Sequence, residues 1–456
     1  MRNGVLAGVV ISLAAACTPA PVELNMECAP VGEPSLLRAT AGLRGWWSLG
    51  MMDGRLLFTF LSWSGFDDEA TEAWAQWYGP ELGAESDSFV LGRGRALISP
   101  TWVRHDGALW AQLWAEQGTD GLNLPIRYQV SIWQLAPGET VAERFVAPDL
   151  GATSVFDRTD LLPISVGAPT ITAGADGRAP AVVAHGRPFF GLGVIPASCP
   201  GMHAANMTRL EMFDRDSAVI DLSGPEPCAL DGSVWSHNAR LVALRDGGAG
   251  VFFRLGQGIG QGFIHYSRIG PDLTLLDTPP VRVEETTIAR AVPGGYQPQA
   301  VALGSGTLLF TNRDPESGYN VCQELRLVEP DGSSPRLAPY QMPCLNAPDA
   351  HRRGEANEVV SAWVVLSPLA SGHAAIAYGE TVAGVADGVF LHTIDAAGRR
   401  SSEIMRVTPP VTSATSEDFQ VQMVSEGDDV IVAWRDSRPD TPGYYARRYH
   451  CGPLPE

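Results

Sequence analysis

Short apolar runs bounded by glycine, proline or aspartate succeed one another along most of the chain, and long 3.6-residue periodicity is hard to find. That alternation of apolar runs with turn signals predicts many short β-strands. The clearest unit lies near the C-terminus. Val430-Ile431-Val432-Ala433-Trp434 is a β-branched strand followed by Arg435-Asp436, a polar turn, and a second strand at Tyr444–Tyr449. The same grammar recurs upstream. Thr307–Phe310 leads to Val321–Val328, Gly250–Phe253 to Gly262–Ile269, and Ala374–Tyr378 to Gly388–Ile394, with weaker copies around His185, Trp114 and Phe60. The anchors Phe60, Trp114, His185, Phe253, Phe310, Tyr378 and Trp434 are spaced roughly 55–70 residues apart, somewhat longer than the ~40–50 residues of common propeller repeats.

Each anchor strand follows another apolar stretch, at Trp46–Leu49, Thr101–Val103, Pro169–Thr172, Arg240–Leu244, Gln299–Leu303, Ala362–Leu366 and Gln420–Val424. Glycine- or aspartate-rich turns such as Asp53-Gly54 separate the two. A fourth strand closes some units, as at Val281–Val283 and Ile404–Val407. The pattern predicts an all-β fold, a β-propeller of seven four-stranded blades. The last unit stops after its third strand, and residues 34–40 stand ready to supply the missing outer one. That overlap closes the ring with N- and C-terminal strands.

The start of the chain has another character. Met1-Arg2-Asn3 is positive, and Gly4–Ala16 is apolar apart from Ser12. The run has the length of an export signal and is too short to span a bilayer as a helix. Leu13-Ala14-Ala15-Ala16-Cys17 then resembles the lipobox of bacterial lipoproteins. The resemblance implies cleavage before Cys17, acylation of its thiol, and, with Thr18 in place of a retention aspartate, an outer-membrane address. Residues 18–34, with four prolines, read as a tether, and 35–452 as the propeller. Six cysteines remain for the oxidising side of the membrane: Cys28, Cys199, Cys228, Cys322, Cys344 and Cys451. Spacing leaves ~15 connectivities open. Cys199–Cys228 and Cys322–Cys344 suit local loops, and Cys28–Cys451 would pin the ring.

A formal net charge of −19, with arginine as the only basic residue besides histidine, argues against nucleic acid or anionic lipid as a partner. The C-terminal Trp434-Arg435-Asp436 to Arg448 stretch resembles the repeats of bacterial surface lipoproteins with sialidase-like propellers, which implies fold and not activity. The enzymes of that type carry Asp-box turns; Asp231-Gly232-Ser233-Val234-Trp235 is a degenerate version, and their arginine motif near the domain start is absent. There is no Gly-x-Ser-x-Gly elbow and no His-Glu-x-x-His helix. Asp214-Arg215-Asp216 with Asp221 lacks calcium-loop spacing, the denser Asp67-Asp68-Glu69 with Glu72 reads first as an acidic solvated turn and second as a cation site, and Gly256–Gly262 joins two strands instead of opening a phosphate-binding helix. No catalytic residue, metal site or cofactor is expected. One aromatic group stands out: Trp74, Trp77 and Tyr78, next to the acidic 67–72 segment, are candidates for a sugar-stacking shelf, with core packing as the competing role. The sequence thus points to a lipid-anchored, non-catalytic module binding a glycan or an envelope protein. The alternative is a glycosidase or polysaccharide lyase with carboxylates at the propeller channel.

Overall fold

A computed structural model describes residues 24–39, 47–62, 71–94, 102–105, 107–119, 125–146, 170–172, 182–190, 204–212, 220–221, 235–246, 248–258, 261–270, 274–277, 280–283, 299–313, 323–342, 359–382, 385–408, 420–436 and 442–454. Every regular element among them is a β-strand. One four-stranded sheet joins β2 (Trp47–Met52), β3 (Arg55–Ser62), β4 (Thr71–Tyr78) and β5 (Phe89–Gly94) in chain order. A second joins β6 (Trp102–His105), β7 (Ala108–Thr119), β8 (Pro125–Leu135) and β9 (Glu143–Val146). A third contains β18 (Ala300–Ala302), β19 (Leu308–Arg313), β20 (Gln323–Val328) and β21 (Arg336–Leu337). A fourth contains β22 (Val359–Pro368), β23 (Ala374–Val382), β24 (Val385–Ile394) and β25 (Met405–Arg406).

The fifth sheet closes the molecule. Here β26 (Gln420–Glu426), β27 (Asp429–Asp436) and β28 (Gly443–Pro453) are completed by β1 (Met26–Ala39), antiparallel to β28. Cys28 stands opposite Cys451 in that pairing, and the two are disulfide-bonded. The expected tether therefore ends sooner than residue 34: residues 26–34 already belong to the sheet, because their backbone finds the free edge of β28. The remaining sheet has eight strands. β10 (Thr170–Thr172), β11 (Val182–Phe190), β12 (Ala204–Met212) and β13 (Ile220–Asp221) form one antiparallel run. β14 (Trp235–Ala243), β15 (Ala249–Gly258), β16 (Gln261–Ile269) and β17 (Val281–Arg282) form another. A single parallel pair, Asn206 with Trp235, links the two runs. The first strands of all these runs touch in the circular order β2, β6, β10, β14, β18, β22, β26 and back to β2. The fold is an all-β propeller.

Alternation along a strand builds the packing between sheets, because successive side chains leave opposite faces. In β27, Val430, Val432 and Trp434 enter a core shared with β23 and β24, while Ile431 and Ala433 enter one shared with β2, β3 and β4. In β3, Leu57 faces the β6–β9 sheet while Leu56, Phe58 and Phe60 face the closing sheet. Both faces of these strands are buried, which is why the sequence shows near-continuous apolar runs there.

Antiparallel order sends the turns between first and second strands, and between third and fourth, to one end of the ring. The short ones are built from residues that accept positive φ, such as Asp53 (52°) with Gly54 (73°) between β2 and β3. Neighbouring turns hold each other. Glu426 accepts the amides of Asp53 (3.1 Å) and Gly54 (2.7 Å) and pairs with Arg104, tying the closing sheet to the next two. The amide of Ala370 donates to the carbonyl of Gly427 at 3.0 Å, and that of Gly304 to Gly372 at 2.6 Å. A Cβ on Gly304 would lie 2.8 Å from the Gly372 Cα, a backbone clash that no rotamer relieves. Gly304→Ala should therefore cost roughly 1–3 kcal/mol in urea unfolding; an unchanged midpoint would show that the two turns separate freely.

Candidate functional site

The two ends of the ring differ. At the turn end, a cleft of about 170 Å³ lies between β14–β17 and β18–β21, lined by Leu244, Arg245, Asp246, Arg268, Ala302, Gly306 and Pro330. Its polar groups are committed to structure. Arg268 makes a bidentate pair with Asp277 (2.9 and 3.1 Å), Asp246 accepts the Gly248 amide at 3.0 Å, and Arg245 donates to the Gly304 carbonyl.

The described strand ends that connect second to third strands, and one run to the next, lie at the opposite end. At that loop end the first and last sheets meet, and their registers set two rows of side chains against each other. In the closing sheet, Gln420 stands opposite Arg435, Arg435 opposite Tyr444, and Tyr444 opposite Arg38. In the adjoining sheet, Trp47 stands opposite Phe60 and Phe60 opposite Trp74. Directly paired residues share a face, so each row is continuous. The rows touch. Trp47 donates through Nε1 to Gln420 Oε1 at 3.3 Å, its ring lies 5.3 Å from that of Tyr444, and the Arg38 guanidinium sits 3.6 Å over Phe60.

Trp47, Phe60 and Tyr444 are buried; Gln420, Arg435, Arg38 and Trp74 are half-buried and reach solvent. Burial pushes the Tyr444 hydroxyl up, against the pull of Arg435 and Arg38, so it stays neutral. Desolvation lowers Arg38, but guanidinium basicity keeps it charged. The Nε of Arg435 is buried without a hydrogen-bond partner. The seam thus offers two cations, a carboxamide and an indole edge at the mouth of the ring. The guanidinium and carboxamide groups can pair with an anionic oxygen.

The expected aromatic shelf is not formed. Trp74, Trp77 and Tyr78 lie within β4, and alternation puts Trp77 on the other face from Trp74 and Tyr78. Trp77 is fully buried and donates to the Glu139 carbonyl at 2.6 Å. Tyr78 is 2% exposed, with its hydroxyl 2.5 Å from the Leu37 carbonyl, and burial pushes it up to about 12. Packing won for both, and only Trp74 retains an open edge. Cys17, Cys199, Cys228, Cys322 and Cys344 lie outside the described residues, as do Asp67, Asp68 and Glu69. Among the described residues no group of three or more His, Cys, Asp or Glu side chains could hold a metal ion, and no helix is long and apolar enough to cross a membrane.

No family model matches the chain, and no curated protein matches it. Solved structures resemble it in shape. A protein of unknown function from Dyadobacter fermentans shares 11% identity over 94% of this chain and 100% of its own, with a TM-score of 0.49. The polysaccharide lyase Uly1 shares 10% over 94% and 100%, with a TM-score of 0.47. A Trypanosoma rangeli sialidase bound to the inhibitor DANA shares 11% over 81% of this chain, with a TM-score of 0.45, and the match spans 57% of the sialidase chain.

Proposed function

We propose that this chain is an exported, lipid-anchored propeller of seven blades that engages glycan at the loop end of its ring. The blade count rests on the circular order of the seven innermost strands, with the eight-stranded sheet counted as two blades joined by one parallel pair. Acylation of Cys17 and an outer-membrane address rest on the Leu13–Cys17 motif and on the oxidised Cys28–Cys451 pair, which suits a compartment outside the cytoplasm. Glycan as the ligand class rests on one observation: the Gln420–Arg435–Tyr444–Arg38 row facing Trp47, Phe60 and Trp74. Guanidinium and carboxamide groups suit sugar hydroxyls and carboxylates. An acidic polysaccharide fits this chemistry better than a neutral one.

The glycan-active enzyme is the form of this reading we place first. Glu358 and Asp418, which precede β22 and β26 in sequence, lie outside the described residues. Hydrolysis of a glycosidic bond needs two carboxyl groups about 5–10 Å apart. The row alone is binding chemistry, and with no carboxylate pair it makes a glycan-reading module.

The test is a panel of acidic and neutral polysaccharides with the purified chain, read by tryptophan fluorescence and by product analysis. Saturable binding of an acidic polymer should weaken at least tenfold in Arg435→Met, with the melting temperature unchanged. Products formed by the native chain and lost in Asp418→Asn or Glu358→Gln would establish the enzyme. Binding indifferent to Arg435→Met would remove the seam from the reading.

A further inference from the structure

The direction of β1 fixes the end of the ring at which the chain enters the fold. β1 starts at the turn end: Met26 is opposite Pro453, and the amide of the neighbouring Cys451 donates to the Asp428 carbonyl in the β26–β27 turn at 2.8 Å. The strand then runs outward and finishes at Ala39, opposite Gly443, where the loops leave. Its first residues are tied down. Asn25 donates to the Ser401 carbonyl at 3.0 Å and accepts the Leu454 amide at 3.0 Å. The chain therefore leaves the folded body at the turn-end rim, beside the β24–β25 connection.

We propose that the turn end is the surface laid towards the lipid bilayer, with the loop end and its Arg435 seam held away from it. This rests on the acylation of Cys17. From Cys17 to the pinned Asn25 the chain can extend at most about 26–29 Å, at ~3.3–3.6 Å per residue. To turn the loop end onto the membrane it would have to run back along the full height of the closing blade. The 11-residue strand β28 alone spans about 34 Å at ~3.4 Å per residue. The leash is shorter than the path.

The turn end carries ion pairs, Arg55 with Glu85 (3.1 Å), Arg336 with Glu329 (3.0 Å), Arg399 with Asp395 (2.9 Å) and Arg104 with Glu426, alongside exposed acidic residues such as Asp53, Glu81 and Asp331. The placement is set by the reach of the anchor and not by charge. A glycan-directed seam held outward would meet polymer arriving from the side away from the anchoring bilayer.

The test uses the full chain purified from an envelope and reconstituted into phosphatidylethanolamine/phosphatidylglycerol vesicles containing a headgroup-quencher lipid. Fluorophore maleimide is attached at Ala397→Cys, exposed in the β24–β25 turn, or at Ala39→Cys, exposed at the loop end of β1, with the unsubstituted chain as the labelling blank. Quenching at position 397 should exceed that at 39 several-fold. Equal quenching, or stronger quenching at 39, overturns the orientation while leaving the anchor intact. The intact mass of the N-terminal peptide separates the two questions: an unacylated Cys17 removes the anchor and overturns the orientation with it.

Discussion

Replacing Cys28 and Cys451 together by alanine will lower the stability of the folded chain by about 2–5 kcal/mol. The bond joins residues 423 apart in sequence, across the one sheet that mixes both ends of the chain. The chain-entropy formula extrapolates to about 6 kcal/mol for so long a loop, an upper value because a denatured chain of this length is not a free coil. Burial offers β1 little else to hold it. Of its fourteen residues only Met26, Cys28 and Leu37 are buried, while Val31 and Leu36 lie in solvent at 42% and 50% exposure. Apart from the Tyr78 hydroxyl on the Leu37 carbonyl, Arg447 on the Gly32 carbonyl and Arg38 over Phe60, it is held by the ladder to β28, which is interrupted by register shifts between Val31 and Ser35 and between Leu36 and Arg38. Urea unfolding of native and doubly substituted protein measures the effect. Hydrogen exchange should show β1 amides losing protection before those of β27. Equal midpoints would mean that the ladder alone closes the ring.

The architecture was legible in the sequence because both faces of each blade are buried. Period-2 alternation with two apolar faces produces runs such as Val430–Trp434, and the seven anchors Phe60, Trp114, His185, Phe253, Phe310, Tyr378 and Trp434 all fall in the second strand of their run. The closing strand and its disulfide were legible for a related reason: a unit missing its outer strand leaves an unpaired edge, and residues before the first unit were free to fill it. The tether boundary was missed because Ala29–Glu33, on an outer strand, is exposed and reads as polar linker. The site was scarcely legible. Arg435 was visible beside Trp434, but the facing of Gln420, Arg435 and Arg38 against Trp47 and Phe60 depends on the β1–β28 register, which pairs Arg38 with Tyr444, and on the packing of Trp47 against Gln420, 373 residues away. Composition drew attention to Trp77 and Tyr78, yet one residue of offset in a strand decides which face a side chain takes. Only pairing fixes that.

Acid will destabilise the native protein through His392, and His392→Phe will remove that part of the loss. The imidazole is fully buried on β24, with its ring 4.9 Å edge-on to Tyr340 and 5.8 Å from Tyr378. Neither ring nitrogen has a hydrogen-bond partner. Desolvation first, and the Arg400 guanidinium second, hold its pKa down at about 3. The charges around it do not rescue the proton. Burial pushes the Tyr340 hydroxyl up to about 12 and raises Tyr378 too, so both stay neutral, while the fields of Glu380 (raising) and Arg400 (lowering) oppose each other on both phenols. An unfolded histidine titrates near ~6.5, so below that pH the unfolded chain binds a proton the folded one refuses. Stability is whole above pH ~6.5, falls by about 1.4 kcal/mol per unit below it, and levels out near the folded value of about 3. The full loss is of order 5 kcal/mol. Phenylalanine keeps the edge contacts with Tyr340 and removes two unsatisfied nitrogens, so at pH 7 the variant should be equal to or more stable than the native chain. Carboxylates titrate in the same range in both proteins, and the difference between their urea midpoints at pH 7, 5.5 and 4 isolates the histidine. That difference should widen steadily in favour of His392→Phe as pH falls; parallel curves would mean that His392 takes up a proton without unfolding, through water or movement at the β24–Tyr340 contact.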